Sequence, residues 1–459
     1  MNDQIKLSFA ELEKLVWSTA LETFQQAMVQ ILSLLDDFLM AKRDKRRYEY
    51  KEKKERTCIT MLGSVTIERR YYWDREENDW VFLLDQVLGL NSTQVSDGLK
   101  ELVVLWATKG PSYRDVRDRL EDLFGNQVLS HEKIRQLLLD SSELLKNTFE
   151  PNEQKKKVNI LFIEADGFWT GVQRQGRKTR KKRETQLVVV HEGWEKRQGG
   201  GYRLKNPMYI TSDTLEKGEG IWDRVRLRVV EKYRDIDSIP IIINGDFASW
   251  IRGGVDYFKN AIYQYDRFHL KREIRTVLHN NKELSRQALS YVNADNPDAL
   301  LEVLDKAMVP TRDEEIAKLS ERLQAHKEST MDYRKRLSLK GFEVSETWRG
   351  MGAAESNVDR FKLRTAKRGR SWSKKGLEAI LNMLGKLYEG ILKDALAGLD
   401  ASLFTKPQTE DIVELSAQQV AKKVGLGVLN VRKGGFPAVN KGTEGYSKLL
   451  RQILHVQTI

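Results

Sequence analysis

The sequence predicts a mixed α/β core with a mostly helical N-terminal region and an all-helical insertion. Two apolar runs carry the prediction of a core. VNILFI (158–163) and SIPIII (238–243) are rich in β-branched residues, and glycine follows each closely. Such runs read as strands buried on both faces. Each delivers a carboxylate near its end, Asp166 after the first and Asp246 after the second. The third observation is a helical, highly charged stretch from Leu270 to Leu339, punctuated only around Asn293–Pro297.

At 459 residues the chain exceeds one ordinary core, so several domains are expected. The pattern divides into an N-terminal helix and basic segment (1–56), a hairpin with a helical region (57–150), and a first core part (151–269). A helical insertion (270–345), a second core part (346–400) and a tail (401–459) complete it.

Ser8-Phe9-Ala10-Glu11 is a capping box opening a helix that runs to about Met40. Phe9, Leu12, Val16, Ala20, Phe24, Met28, Ile31, Leu35 and Phe38 recur along it at helical spacing, a stripe for its own domain or for a partner. Lys42–Arg56 is crowded with cations and reads as a solvated linker or a contact to DNA phosphates. Thr57–Tyr72 alternates about Gly63-Ser64, a hairpin pattern. In 111–140, Pro111 and Ser112 start one helix, Gly125-Asn126-Gln127 turns, and Ser130 caps another. That is a helix-turn-helix-like arrangement, in which Lys133 and Arg135, with His131 and Gln136, would face a DNA groove. An ordinary helical hairpin has the same pattern.

Past Asp166, Trp169–Val172 and Gln186–His191 read as neighbouring strands. The loop joining them holds Arg174, Arg177, Lys178, Arg180, Lys181, Lys182 and Arg183. Cations beside a carboxylate pair would collect phosphates, although a solvated tip has the same composition. Strands at Tyr202–Ile210, Ile239–Asn244 and Ala261–Tyr265 alternate with helices at Glu216–Lys232 and Ala248–Lys259. The resulting β-β-β-α-β-α-β order is that of a ribonuclease-H-like core with a mixed five-stranded sheet. After the insertion a basic helix begins near Gly352-Ala353-Ala354-Glu355. An amphipathic helix with Leu377, Ile380, Leu381, Leu384 and Leu387 closes the core, and Leu415–Val424 has a helical pattern.

Composition narrows the function classes. The single cysteine, Cys58, excludes an intramolecular disulfide and a cysteine zinc site, and fits a reducing compartment. No signal pattern opens the chain, and no apolar run reaches ~18 residues, so neither secretion nor a membrane span is expected. A net charge of +12 suits a polyanionic partner, nucleic acid above all. No GxxxxGK[ST] phosphate loop occurs, which argues against a motor.

Two strand-end aspartates and a third acid would hold two Mg²⁺ or Mn²⁺ ions, the ions that oxygen ligands suit. Such a site activates water or a 3′-hydroxyl towards a phosphodiester. Glu355 is the leading third acid, because it lies among small residues at the head of a basic helix. Asp359, one turn on, and Glu164, on the strand face of Asp166, are alternatives. The plain alternative for each aspartate is a turn or cap residue. In KRGRSWSKKG (367–376), Lys367, Arg368 and Arg370 interleave with Trp372, which favours nucleic-acid contact. Trp169, Trp222 and Trp250 read as core.

Together IEADG, NGDFASWI, Asp266-x-x-His269 and GAAESNVDRF resemble the DDE transposases of ISLre-type insertion sequences, related to the Mutator-like group. YYWD (71–74), Leu83-Leu84-Asp85 and KRGRSWSKKG extend the likeness over most of the chain. The resemblance implies Asp166, Asp246 and Glu355 as catalytic, metal-holding acids, with Asp266 and His269 close by. It further implies a cytoplasmic bacterial protein acting as a homodimer or larger assembly on double-stranded DNA, both element ends and target. Two other functions fit the same residues: a nuclease or resolvase that never joins DNA, and a DNA-binding regulator on an inactive scaffold.

Overall fold

The computed structural model describes residues 8–90, 94–147, 155–174, 177–214, 219–311 and 313–403. The chain forms two compact units, Met1–Leu138 with Asp394–Ile459, and Leu139–Lys393.

The first unit opens with α1 (Phe9–Lys42), whose capping box is realised in full, Ser8 and Glu11 bonding reciprocally. The expected stripe splits. Met28 and Leu35, with Val29, Leu32 and Leu39, pack on Val65, Ile67 and Leu84, whereas Phe9, Val16, Phe24 and Phe38 face outward. The basic segment after α1 is largely strand rather than linker, which puts the expected 56/57 boundary inside a strand. β1 (Tyr48–Thr60) pairs antiparallel with β2 (Gly63–Asp74), and β3 (Asp79–Val81) adds to β2. Most of β1 is exposed, so no apolar alternation marks it; pairing with β2 makes it a strand. Helices α2 (Leu83–Leu88), α3 (Asp97–Lys109) and α4 (Tyr113–Phe124) follow. Gly125, at φ 74°, ends α4, and Ser130 caps α5 (His131–Asn147) by accepting from Lys133 N at 3.1 Å. A helix, a turn and a second helix occupy 111–140, the pattern that a helix-turn-helix and an ordinary helical hairpin share.

The second unit is organised on one mixed sheet. After the short β4 (Lys156–Lys157), β5 (Leu161–Arg174) and β6 (Arg177–His191) form a long antiparallel hairpin. The basic connection expected as a loop is therefore the distal end of this hairpin. β7 (Trp194–Lys196) and β8 (Tyr202–Leu204) pair with each other, so the strand expected over 202–210 breaks at Pro207. β9 (Met208–Thr211) pairs β6, α6 (Ile221–Lys232) crosses, and β10 (Tyr233–Arg234) pairs β4. β11 (Ile241–Gly245) then lies parallel to β5. The helix expected over 248–259 is only α7 (Ser249–Arg252) and a short 3₁₀ turn, since Gly253-Gly254 ends it. β12 (Ala261–Tyr265) is parallel to β11.

The sheet runs in the order β12-β11-β5-β6-β9, with β13 (Ser371–Trp372) alongside the distal part of β5. Leu161, Ile163, Ala165, Ile241 and Ile243 face one apolar core, and Phe162 and Ile242 the other. Both-face burial explains why these strands are unbroken apolar runs.

Helices α8 (Arg267–Val277), α9 (Lys282–Asn293), α10 (Pro297–Thr311), α11 (Glu314–Ala325) and α12 (Tyr333–Leu339) make up the expected helical stretch. It is not a detached body: Ala288, Leu300, Leu304, Leu319 and Leu323 share the core of the sheet. α13 (Ala353–Thr365), α14 (Lys374–Glu389) and α15 (Leu392–Leu403) finish the described chain. The tail pattern at Leu415–Val424 lies outside the described residues.

Candidate active site

Asp166 sits inside β5, not at its end. β11 pairs with β5 only as far as Gly245 opposite Ala165, and β13 takes up the same edge at Gly171. Between them the edge of β5 is open, and Asp166 is the first residue past the departure of β11. Its side chain is nevertheless buried, with Oδ1 accepting from Gly167 N at 2.7 Å.

Asp246 is set by the end of β11. A side chain at Gly245 would bring its Cβ within 2.5 Å of Ala165 O and 2.8 Å of Ile251, so glycine lets β11 lie close to β5 there. The carbonyl of Gly245 accepts from Asp266 N at 2.8 Å and from the Tyr263 hydroxyl at 3.2 Å. Asp246 Oδ1 accepts from Ala248 N at 3.0 Å, a turn bond that leaves the half-buried carboxyl other lone pairs.

Asp266 is an N-cap. Oδ1 accepts from the amides of Phe268 and His269 at 2.9 and 3.0 Å, and Oδ2 accepts from Asn244 Nδ2 at 2.9 Å. Its carboxyl thus fixes the start of α8 and the direction of His269. The imidazole is buried, with Nε2 3.8 Å from Glu355 Oε2 and Nδ1 without a hydrogen-bond partner.

Glu355 projects from the first turn of α13, half-buried, whereas Asp359 is exposed one turn on. Asp166, His269 and Glu355 each offer a ligand atom within 4.8 Å of the others. Burial pushes the Asp166 carboxyl up to about 6; the carboxylates of Asp246 and Glu355 add to the rise, against the Gly167 amide and His269. A buried acid among like charges is unfavourable alone and favourable once a cation joins it. The donor set of Asp166, Glu355 and the His269 imidazole, from three separate elements and with the Asp246 carboxylate near enough to raise Asp166, therefore fits a hard divalent ion.

Glu164 escaped the sequence reading in the role it holds. It is 0% exposed, and Oε2 accepts from both Gly352 N and Ala354 N at 3.0 Å, at the N-terminus of α13. Oε1 lies 3.3 Å from Nε2 of buried His191, out of line for a hydrogen bond, and neither atom has another partner. An internal carboxylate beside an apolar strand was the available signal.

The expected nucleic-acid contacts divide. Lys181, Lys182 and Lys367 are exposed, as is Lys133, while Arg135 pairs with Glu132 at 2.6 Å. Arg183 forms an ion pair with Asp213 at 2.8 Å, and Arg370 Nη1 donates to the carbonyls of Leu363 and Arg364 at 2.7 Å. The side chains of Arg177, Lys178, Arg180 and Arg368 lie outside the described residues. Trp372 contradicts the expectation of a surface aromatic. It is 8% exposed, its indole N–H donates to Thr365 O at 2.8 Å, and Arg364 stacks on its ring. Trp169, expected in the core, is 58% exposed, because Trp169 and Asp166 point to opposite faces of β5 and the core ends short of Trp169.

Fold and site define a mixed α/β protein with an acidic cluster beside the parallel edge of its sheet. The chain belongs to the uncharacterised protein family UPF0236, which matches residues 3–397. A UPF0236 protein from the vanSb 3′ region of Streptococcus gallolyticus is 28% identical over 400 residues, 84% of either chain. Another from Caldanaerobacter subterraneus subsp. tengcongensis is 25% identical over 430 residues, 89% of this chain and 87% of that one. Among solved structures, the Drosophila P element transposase strand transfer complex aligns with 69% of this chain and 83% of its own. The identity there is 10% and the TM-score 0.24, too low to bear on fold or function.

Proposed function

We propose that this protein is a DNA transposase of an insertion sequence, cutting element ends and joining them to target DNA by metal-dependent transesterification. The observation that carries the reading is the meeting of Asp166, Glu355 and His269, with Asp246 beside them, from β5, α13, α8 and the end of β11. The sheet order β12-β11-β5-β6-β9, antiparallel on one side of β5 and parallel on the other, supports a ribonuclease-H-like core. Repetition in genomes supports mobility: one Caldanaerobacter relative carries eleven numbered designations in its single name. Mobile sequences accumulate in such copies.

Asp166, Asp246 and Glu355 would hold Mg²⁺ or Mn²⁺, two ions in the full site. Bound there, the metal polarises the phosphodiester and lowers the pKa of an attacking water or 3′-hydroxyl. Asp266 orients His269 by capping α8, and His269 stands next to Glu355, where it can donate to that carboxylate or to a phosphate oxygen. The exposed Lys181 and Lys182 on the hairpin, and Lys133 on α5, offer phosphate contacts, and pairing two element ends would need at least a dimer.

Incubating the full chain with labelled element-end duplex, target DNA and Mg²⁺ or Mn²⁺ tests the reading. Cleavage and joined products are expected from the wild type, and neither from Asp166→Asn, Asp246→Asn or Glu355→Gln. Asp359→Asn should keep most activity, because Asp359 points to solvent. Cutting without joining would make the protein a nuclease, and cutting by all three acid variants would end the proposal.

A further inference from the structure

We propose that Glu164, backed by His191, is a positioning residue that sets the spacing between Asp166 and Glu355; this rests on the metal-site reading above. Two residues apart on β5, Glu164 and Asp166 point to the same face. Asp166 faces the metal site, while Glu164 reaches under the N-terminus of α13 and takes the amides of Gly352 and Ala354, both at 3.0 Å. Glu355 is the residue after Ala354. One rigid strand therefore carries both an acid of the metal site and the anchor of the helix that presents another.

The anchor is specific to this helix end. Gly352 has φ 146°, a conformation that L side chains rarely adopt, and it turns the chain so that two amides converge on one oxygen. The buried Ala354 amide at the helix start needs an acceptor, and a carboxylate complements the positive end of the helix dipole. His191 closes the far side. Its ring stacks on Phe162, and Nδ1 lies 3.2 Å from Gly193 N and 3.1 Å from Gly193 O, so either neutral tautomer finds a partner there. Glu164 is enclosed and lies behind the helix start, and it does not belong to the cluster of Asp166, His269 and Glu355. Its action on the metal runs through the placement of Glu355.

Mn²⁺ binding to the full chain, read by electron paramagnetic resonance beside thermal unfolding, tests the assignment. Glu164→Ala should weaken Mn²⁺ binding by about tenfold or more, the range in which outer-shell partners act. Glu164→Asp keeps the charge but falls one methylene short, and should weaken binding similarly. Glu164→Gln keeps the length and an oxygen that accepts from the amides of Gly352 and Ala354, so this variant should bind close to wild type. The Gln and Asp variants decide the matter even if the Ala variant fails to fold. Asp binding like wild type would overturn the positioning role, and so would Gln binding as weakly as Asp166→Asn, which would make Glu164 itself a ligand. Should Asp166→Asn bind Mn²⁺ as wild type does, the metal-site reading falls and takes this proposal with it.

Discussion

At the scale of single residues, the site depends on glycines as much as on acids. Gly245→Ala would press a methyl group against the backbone oxygen of Ala165 and against Ile251. Overpacking of that kind costs about 1–3 kcal/mol. The denaturant midpoint should fall accordingly, and Mn²⁺ binding should weaken more than it does for a core variant of equal stability, since Asp246 follows directly. The sequence marked Asp166, Asp246 and Glu355 as acids beside apolar runs and a small-residue helix start, although Asp166 lies inside β5 and not at a strand end. The work of Glu164 was not legible, because its partners, the amides of Gly352 and Ala354, belong to a helix far along the chain. Trp372 and Trp169 exchanged their expected places for a similar reason. Composition told which residues were aromatic, but exposure followed from where β13 docks and where the core ends.

At the scale of elements, strands that are apolar on both faces could be read directly, and charged strands could not. β11 and the first part of β5 were legible from their unbroken runs, but 169–172, expected as a separate strand, continues β5. β1 and the basic half of β6 have no alternation, and partner strands alone make them strands. That difference changes what the hairpin can do. A loop would present its cations in many directions, whereas a paired strand holds Lys181 and Lys182 at fixed spacing, one to each face. Replacing both by Ser should reduce the slope of log affinity for DNA against log salt by up to about 0.9 for each phosphate that the two lysines neutralise. Filter binding over a salt series measures it, and an unchanged slope would mark them as solvated. Arg183 is a poor choice for that test, because it is ion-paired with buried Asp213.

At the scale of the whole molecule, acid sensitivity should differ between places in the fold. The Asp74 carboxyl is held below its ordinary value: burial raises it, but bonds from Arg47 at 2.8–3.0 Å and from the amides of Glu76 and Glu77 outweigh that. A depressed folded-state value means the contribution is fully present above the unfolded value near 3.8. It is lost as pH falls through the folded one. Asp36 goes the other way, since burial raises it more than Arg70 lowers it, so protonating it favours the fold. Unfolding followed from pH 7 to pH 2 should therefore show Asp74→Asn losing part of the acid limb, and Asp36→Asn steepening it. Equal limbs for the two variants would contradict this assignment of signs.

The anchoring of α13 on β5 also sets a clock. Glu164 and Ala354 stand 190 positions apart, so a ribosome finishes β5 long before it makes the helix that completes the acid cluster. At roughly 5–20 residues per second, that gap is on the order of 10–40 s of translation. Through that interval Asp166 and Glu164 are already in the nascent chain, but the helix start that Glu164 anchors and the Glu355 it presents are not.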